Sequence, residues 1–198
     1  MSELLETITY RKYPIEIYYD DMSASPNDWD DDEQFLVFDH RDFSVRRKGF
    51  NPADIYEQNE HIKGYFVFRC YAHIHSGVAL AVQNHSFPDS RWDVSFKGFW
   101  IIKRQKGTWT EEQALKAAKS LCKIWNQYLS GEVYGYKGPE NSCWGFYDKE
   151  DMIAQAKDEI DHMISRKCKK HYETLKAYIR YRVPLQCRCT LISTLQMI

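Results

Sequence analysis

Apolar and polar residues alternate near the start of the chain. Ile8-Thr9-Tyr10 and Ile15-Glu16-Ile17-Tyr18-Tyr19 follow the period-two rule of a half-buried strand, with Pro14 expected to break the run. A turn-rich segment, Ser23-Ala24-Ser25-Pro26-Asn27-Asp28, precedes the apolar run Phe35-Leu36-Val37-Phe38, which suits a buried strand. Between Asp39 and Lys63 the pattern is charged and aperiodic, although Pro52 can open a short helix. Three aromatic and β-branched runs follow: Gly64 to His73, Val78 to Val82, and Trp92 to Ile102.

The spacing then becomes helical. Thr110-Glu111-Glu112-Gln113 is a capping box, with a hydroxyl at the N-cap and an amide three residues on. Leu115, Ala118, Leu121, Cys122, Trp125, Tyr128 and Leu129 recur at three- and four-residue spacing, and Gly131 stands where a C-cap glycine belongs. Val133-Tyr134-Gly135-Tyr136 and Cys143-Trp144-Gly145-Phe146-Tyr147 read as a hairpin. Asp148 caps a second helical pattern through Met152, Ile153, Ala156, Ile160, Met163 and Ile164, continuing to about Arg182 before Pro184 ends it. The pattern predicts an α+β fold: a mostly antiparallel sheet packed by one amphipathic helix, with a C-terminal helical basic extension. Residues 1–150 form the expected core domain and 151–198 the extension, packed on that core or projecting from it.

Composition agrees with a folded chain. Of 198 residues, 43% are hydrophobic and 15% aromatic, far from the composition of disordered proteins. No apolar run approaches the ~18 residues needed to span a bilayer, and acids stand at the N-terminus where a signal peptide carries basic residues. The expected location is therefore cytoplasmic, with no membrane partner. The six cysteines are expected to be thiols.

Charge changes the picture more than composition does. Seven acids and no Lys or Arg lie between Asp20 and Glu33. From Ser165 to Arg188 there are eight basic residues against the single acid Glu173. These local fields point to partners in a way that a formal net charge of -1 does not. The basic stretch interleaves cations with tyrosines, a composition suited to phosphates and stacked bases. Candidate binding residues are Arg166, Lys167, Lys169, Lys170, Tyr178, Arg180, Tyr181 and Arg182, with Asp28, Asp30, Asp31 and Asp32 forming an acidic partner surface.

Catalytic signals are weaker. His73-Ile74-His75 places two imidazoles on one face of a strand, with His85, Asp89 and Asp93 near in sequence, but the spacing matches no strong zinc pattern. Asp28, Asp30 and Asp32 resemble the start of an EF-hand loop, yet Glu33 stands where glycine is needed. Cys143 has no local signature joining it to a base, and there is no phosphate-binding glycine loop. No cofactor is expected.

Four segments, in order, resemble a family of small bacteriophage and mobile-element proteins. They are Ser25-Pro26-Asn27-Asp28-Trp29-Asp30, His75-Ser76-Gly77, Arg91-Trp92-Asp93, and Val133-Tyr134-Gly135-Tyr136 followed by Ser142-Cys143-Trp144-Gly145-Phe146-Tyr147. Members of that family read Asp-His-Ser-Gly where this chain has Ile74 before His75, and Trp-Asp-Ser-Gly where it has Val94-Ser95. Those departures favour a scaffold role for the segments. The resemblance implies a phage setting, in which small accessory proteins antagonise host immunity. The expectation is an anti-CRISPR-like counter-defence protein. It inhibits a host immune complex by binding the complex's protein or RNA component, without catalysis. Its expected partners are a host defence protein or ribonucleoprotein, or RNA itself. The alternative is a metal-dependent hydrolase or nuclease using His73, His75 and Asp93. For a cytoplasmic protein, all six thiols should react with a thiol reagent after denaturation without reductant. Recovery of a stable disulfide from cytosol would contradict this.

Overall fold

Strands from the first twenty residues and from residues 134–146 meet in one sheet, and the segment between them builds another. A computed structural model describes residues 3–29, 33–83, 87, 93–104, 110–185 and 187. In chain order the elements are β1 (Leu4–Tyr10), β2 (Tyr13–Tyr19), a 3-10 turn (Pro26–Asp28), β3 (Gln34–Asp39), β4 (Ser44–Val45), α1 (Pro52–Glu57), β5 (Tyr65–Ile74), β6 (Val78–Val82), β7 (Val94–Lys103), α2 (Glu111–Ser130), β8 (Tyr134–Lys137), β9 (Ser142–Phe146) and α3 (Lys149–Arg182). All described strand pairs are antiparallel. The α+β class stands, but the strands divide into two sheets, the terminal one packed by α3 and the central one by α2 and α1, where the sequence pattern suggested one.

The terminal sheet has the order β1-β2-β8-β9. Tyr10 pairs with Tyr13 across a two-residue turn, Arg11-Lys12, in which both residues take positive φ. This mirror-image turn matches the twist of the flanking strands. Pro14 does not break β2. It pairs with Thr9, and pairing with β8 begins only at Glu16, so no neighbour on that side needs the missing N–H. Alternation turns Ile15 and Ile17 inward, where they pack with Tyr136 of β8 against Met152, Ala156, Ile160 and Met163 of α3. In β9, Cys143 and Phe146 both join this core although Trp144 between them faces out. The register shifts there, and Gly145, at φ 84°, supplies the extra residue that returns Phe146 to the inner face.

The central sheet has the order β4-β3-β7-β5-β6. Leu36, Phe38, Phe68, Cys70, Trp100 and Ile102 pack on Ala114, Ala118, Leu121, Cys122 and Trp125 of α2. On the opposite face Phe35, Val37, Phe99 and Ile101 meet Ile55 of α1. Strands β3 and β7 are thus buried on both sides, which explains why Phe35-Leu36-Val37-Phe38 is continuously apolar. Helix α2 starts at the full Thr110–Gln113 capping box and ends on Gly131 in the left-handed conformation. Asn51 caps α1 through Ala53 N–H.

Two asparagines close the open flanks of this sheet. On edge strand β6, Leu80 N–H donates to Asn126 Oδ1 at 2.7 Å, and Asn126 Nδ2 donates back to Leu80 C=O at 2.9 Å. Beyond the short β4, Leu36 N–H donates to Asn27 Oδ1 at 3.2 Å and Asn27 Nδ2 donates to Leu36 C=O at 2.7 Å. Each side chain stands in for a missing strand and removes two unpaired groups from a pairing edge. Asn126→Ala leaves Leu80 N–H and C=O without these partners and should lower stability by about 1–3 kcal/mol, read as a shift in the denaturation midpoint at unchanged slope.

Candidate partner-binding surface

Helix α3 is longer than the sheet it covers. Its 34 residues span roughly 51 Å at a 1.5 Å rise per residue. The side chains that face the terminal sheet end at Met163 and Ile164, and residues 165–171 are all exposed. Charge divides the helix at the same place. Lys149–Ile164 holds five acids and two cations; Ser165–Arg182 holds seven cations and the single acid Glu173. Glu150 and Asp151 in the first turn and Arg180 and Arg182 in the last complement the helix dipole at each end, and Ile179 is buried within the distal half. The described part of the helix crosses the expected 150/151 division, and its first turns are part of the core.

Three ionic contacts fasten the helix. Lys149 Nζ lies 2.6 Å from Glu6 of β1. Asp161 pairs with Arg11 Nε at 3.1 Å and accepts from the Tyr10 hydroxyl at 3.2 Å. Glu140, in the β8–β9 turn, takes Lys167 Nζ at 3.0 Å and also pairs with the Arg166 guanidinium. Lys167, hydrogen-bonded to it, is the main reason the Glu140 carboxyl is held below its ordinary value, with the Arg166 charge adding to the effect. Arg166 and Lys167, expected from the sequence to bind a partner, are engaged by this turn carboxylate and fasten the helix to the sheet.

The cations left for a partner lie further along. Lys169, Lys170, Arg180 and Arg182 are exposed, and Lys176 lies over the Tyr172 ring at 5.7 Å. Arg166, Lys169, Lys176 and Arg180, with Glu173 among them, recur at three- and four-residue spacing and share one face. Tyr178 and Tyr181 are 61% and 79% exposed. Tyr178 falls nine residues after Lys169, so at roughly 100° per residue it lies about opposite it. Tyrosines and cationic stripe are therefore separate faces.

The acidic surface is only partly described. Asp28 ends the 3-10 turn and is exposed, whereas Asp30, Asp31 and Asp32 lie outside the described residues. The metal candidates are near one another without forming a ligand set. His73 belongs to β5 and contacts the Phe87 ring, centroids 5.5 Å apart; His75 lies past the strand end, its ring 6.5 Å from that of His73 and its Nδ1 3.7 Å from the Asp93 carboxylate. Among the described residues no group of three His, Cys, Asp or Glu is placed to hold a metal ion, and His85 and Asp89 fall outside them.

Cys70, Cys122, Cys143, Cys168 and Cys187 are free thiols, and Cys189 lies outside the described residues. Burial raises the Cys70 thiol well above its usual range and pushes Cys122 up to about 12. Cys143 is half-buried against the terminal-sheet core. No described helix is long and apolar enough to cross a membrane.

Where they are described, the four segments sit at contacts between elements. Trp29 meets Tyr147 edge-on at 5.5 Å, joining the first segment to the last. Asn27 closes the β3 flank, and His75-Ser76-Gly77 makes the β5–β6 turn. Arg91 and Trp92 lie outside the described residues. The chain matches no protein-family model, no curated protein and no solved structure.

Glu140 was invisible to sequence reasoning. It is an ordinary turn acid, 26 residues from Arg166, and only the hairpin fold brings the two together. A carboxyl with a lowered folded-state value stabilises fully above its unfolded value of 4.5 and loses that contribution as pH falls through the folded one. The stability gap between wild type and Glu140→Gln should therefore be constant near neutral pH and shrink as the solution is acidified below pH 4.5, followed by chemical denaturation across that range.

Proposed function

We propose that the protein is a phage-type counter-defence protein that binds a host ribonucleoprotein of the immune system through the distal half of α3 and inhibits it without catalysis. One observation carries the reading: half of a long, capped helix extends past the side chains that pack on its sheet, with a stripe of cations along one exposed face. Two of its seven cations are committed to Glu140 and Lys176 lies over the Tyr172 ring, which leaves Lys169 and Arg180 exposed on the stripe and Lys170 and Arg182 exposed elsewhere on the helix. Such a stripe suits phosphates held in regular array, as in the guide RNA of a CRISPR effector. The phage setting comes from the four-segment resemblance. The acidic loop, with exposed Asp28, disfavours free RNA approaching from that side and favours a partner that also presents protein.

Reversal of Lys169, Lys170, Arg180 and Arg182 to Glu should weaken capture of the host complex and flatten its salt dependence. For single strands, log K falls by about 0.7 per decade of salt for each phosphate neutralised. The fold should persist, since none of the four belongs to a packed cluster. The measurement is binding to the complex purified from a bacterial host, before and after nuclease treatment, across a salt series. Unchanged affinity and slope in the reversed variant would remove the distal helix from the interface.

A further inference from the structure

Helix α3 covers only one face of the terminal sheet. Among the described elements it is the one that packs substantially on this sheet, against Ile15, Ile17 and Tyr136. The alternation that buries those residues turns Glu16, Tyr18, Lys137 and Trp144 to the opposite face, with Thr7 beside them on β1.

On that face Tyr18, Gly135 and Trp144 lie in one row across β2, β8 and β9. The Trp144 indole lies flat on Gly135: a Cβ there would come within 2.1 Å of its ring. One ring face thus covers the backbone while the residue remains 37% exposed. Its centroid is 5.9 Å from that of Tyr18. Tyr18 is held in place by donating its hydroxyl hydrogen to Glu16 at 2.6 Å, and the exposed Lys137 ammonium stands 4.5 Å over its ring. The result is two adjoining aromatic rings, backed by rigid strand, with a cation beside them.

We propose that this face is a stacking platform for single-stranded nucleic acid. Every base has an apolar ring face that can stack on Trp144 or Tyr18, and the backbone that follows needs cations within reach. Antiparallel register puts those cations at one end of the sheet. Lys137 opens the β8–β9 turn, and exposed Lys12 lies in the β1–β2 turn beside it. A strand stacked on the platform runs towards that end. The single acid in the row beside the rings, Glu16, is already engaged by the Tyr18 hydroxyl. This surface is separate from the distal-helix face and does not rest on it.

The test is fluorescence anisotropy with labelled ten-nucleotide RNA and DNA single strands and the corresponding duplex, at low salt. Wild type should bind the single strands and bind the duplex, whose bases are hidden, more weakly. Trp144→Ala should weaken single-strand binding by roughly 5- to 150-fold, the loss of one base stack, and Trp144→Phe should restore most of it. Lys137→Glu should weaken binding and reduce its salt dependence, and it decides the matter should Trp144→Ala fold poorly by circular dichroism. The RNA and DNA arms identify which sugar is preferred. Wild type that binds neither strand, a duplex bound as tightly as a single strand, or unchanged affinity in folded Trp144→Ala or Lys137→Glu would each overturn the platform. The distal-helix variant with four reversed charges should still lose affinity when Trp144→Ala is added, so the two surfaces fail separately.

Discussion

The packing of α3 on the terminal sheet is the contact on which both proposed surfaces depend. A four-stranded antiparallel sheet needs one face removed from water, and Met152, Ala156, Ile160 and Met163 do this against Ile15, Ile17 and Tyr136. One helix can cover only one face. The opposite face therefore keeps Trp144 and Tyr18 at the surface. The helix also overshoots the sheet: the residues packed on it end at Met163 and Ile164 while the hydrogen-bonded backbone continues to Arg182. An open sheet face and an extended basic helix are two consequences of one packing arrangement.

The same sheet joins the N-terminal hairpin to the β8–β9 hairpin. Strand β2 pairs with β8, so the central sheet and its helices lie between the N-terminal hairpin and the C-terminal hairpin and helix in sequence. Such long-range pairing must overcome a large loop-closure entropy, which is lowered once the central sheet has folded and drawn Tyr19 and Val133 near each other. Trp29 against Tyr147, and Gln127 Nε2 donating to Tyr147 C=O, then connect the central unit to the terminal one. Asn27 and Asn126 each supply an amide where a strand is missing, and so limit pairing of the central sheet with other chains.

Charge acquires its meaning only in this framework. Along the sequence Arg166, Lys167, Lys169 and Lys170 are one basic run. In the fold a single turn carboxylate, Glu140, divides them into cations that hold the helix and cations that face outward. The helix dipole is complemented at its two ends, by Glu150 and Asp151 in the first turn and by Arg180 and Arg182 in the last. A helix whose distal half exposes most of its residues can present a charged stripe to a partner at little ordering cost.

Local chemistry was legible in the sequence alone. The capping box at Thr110, the C-cap at Gly131, the Asp148 cap, the stop before Pro184 and the buried faces of α2 and α3 all follow from interactions within a few residues, and the structure has each of them. So do most strands, whose period-two pattern reflects burial of one face. Strand pairing was not legible. That β2 joins β8, that Pro14 sits beyond the reach of that ladder, and that two sheets form instead of one depend on partners more than a hundred residues apart. The candidate site divided in the same way: the cations could be counted from sequence, but their neutralisation by Glu140 and the meeting of Tyr18 with Trp144 could not. Helix caps and amphipathic faces are short-range properties of the chain, whereas ion pairs and aromatic rows across a sheet exist only once its register is set.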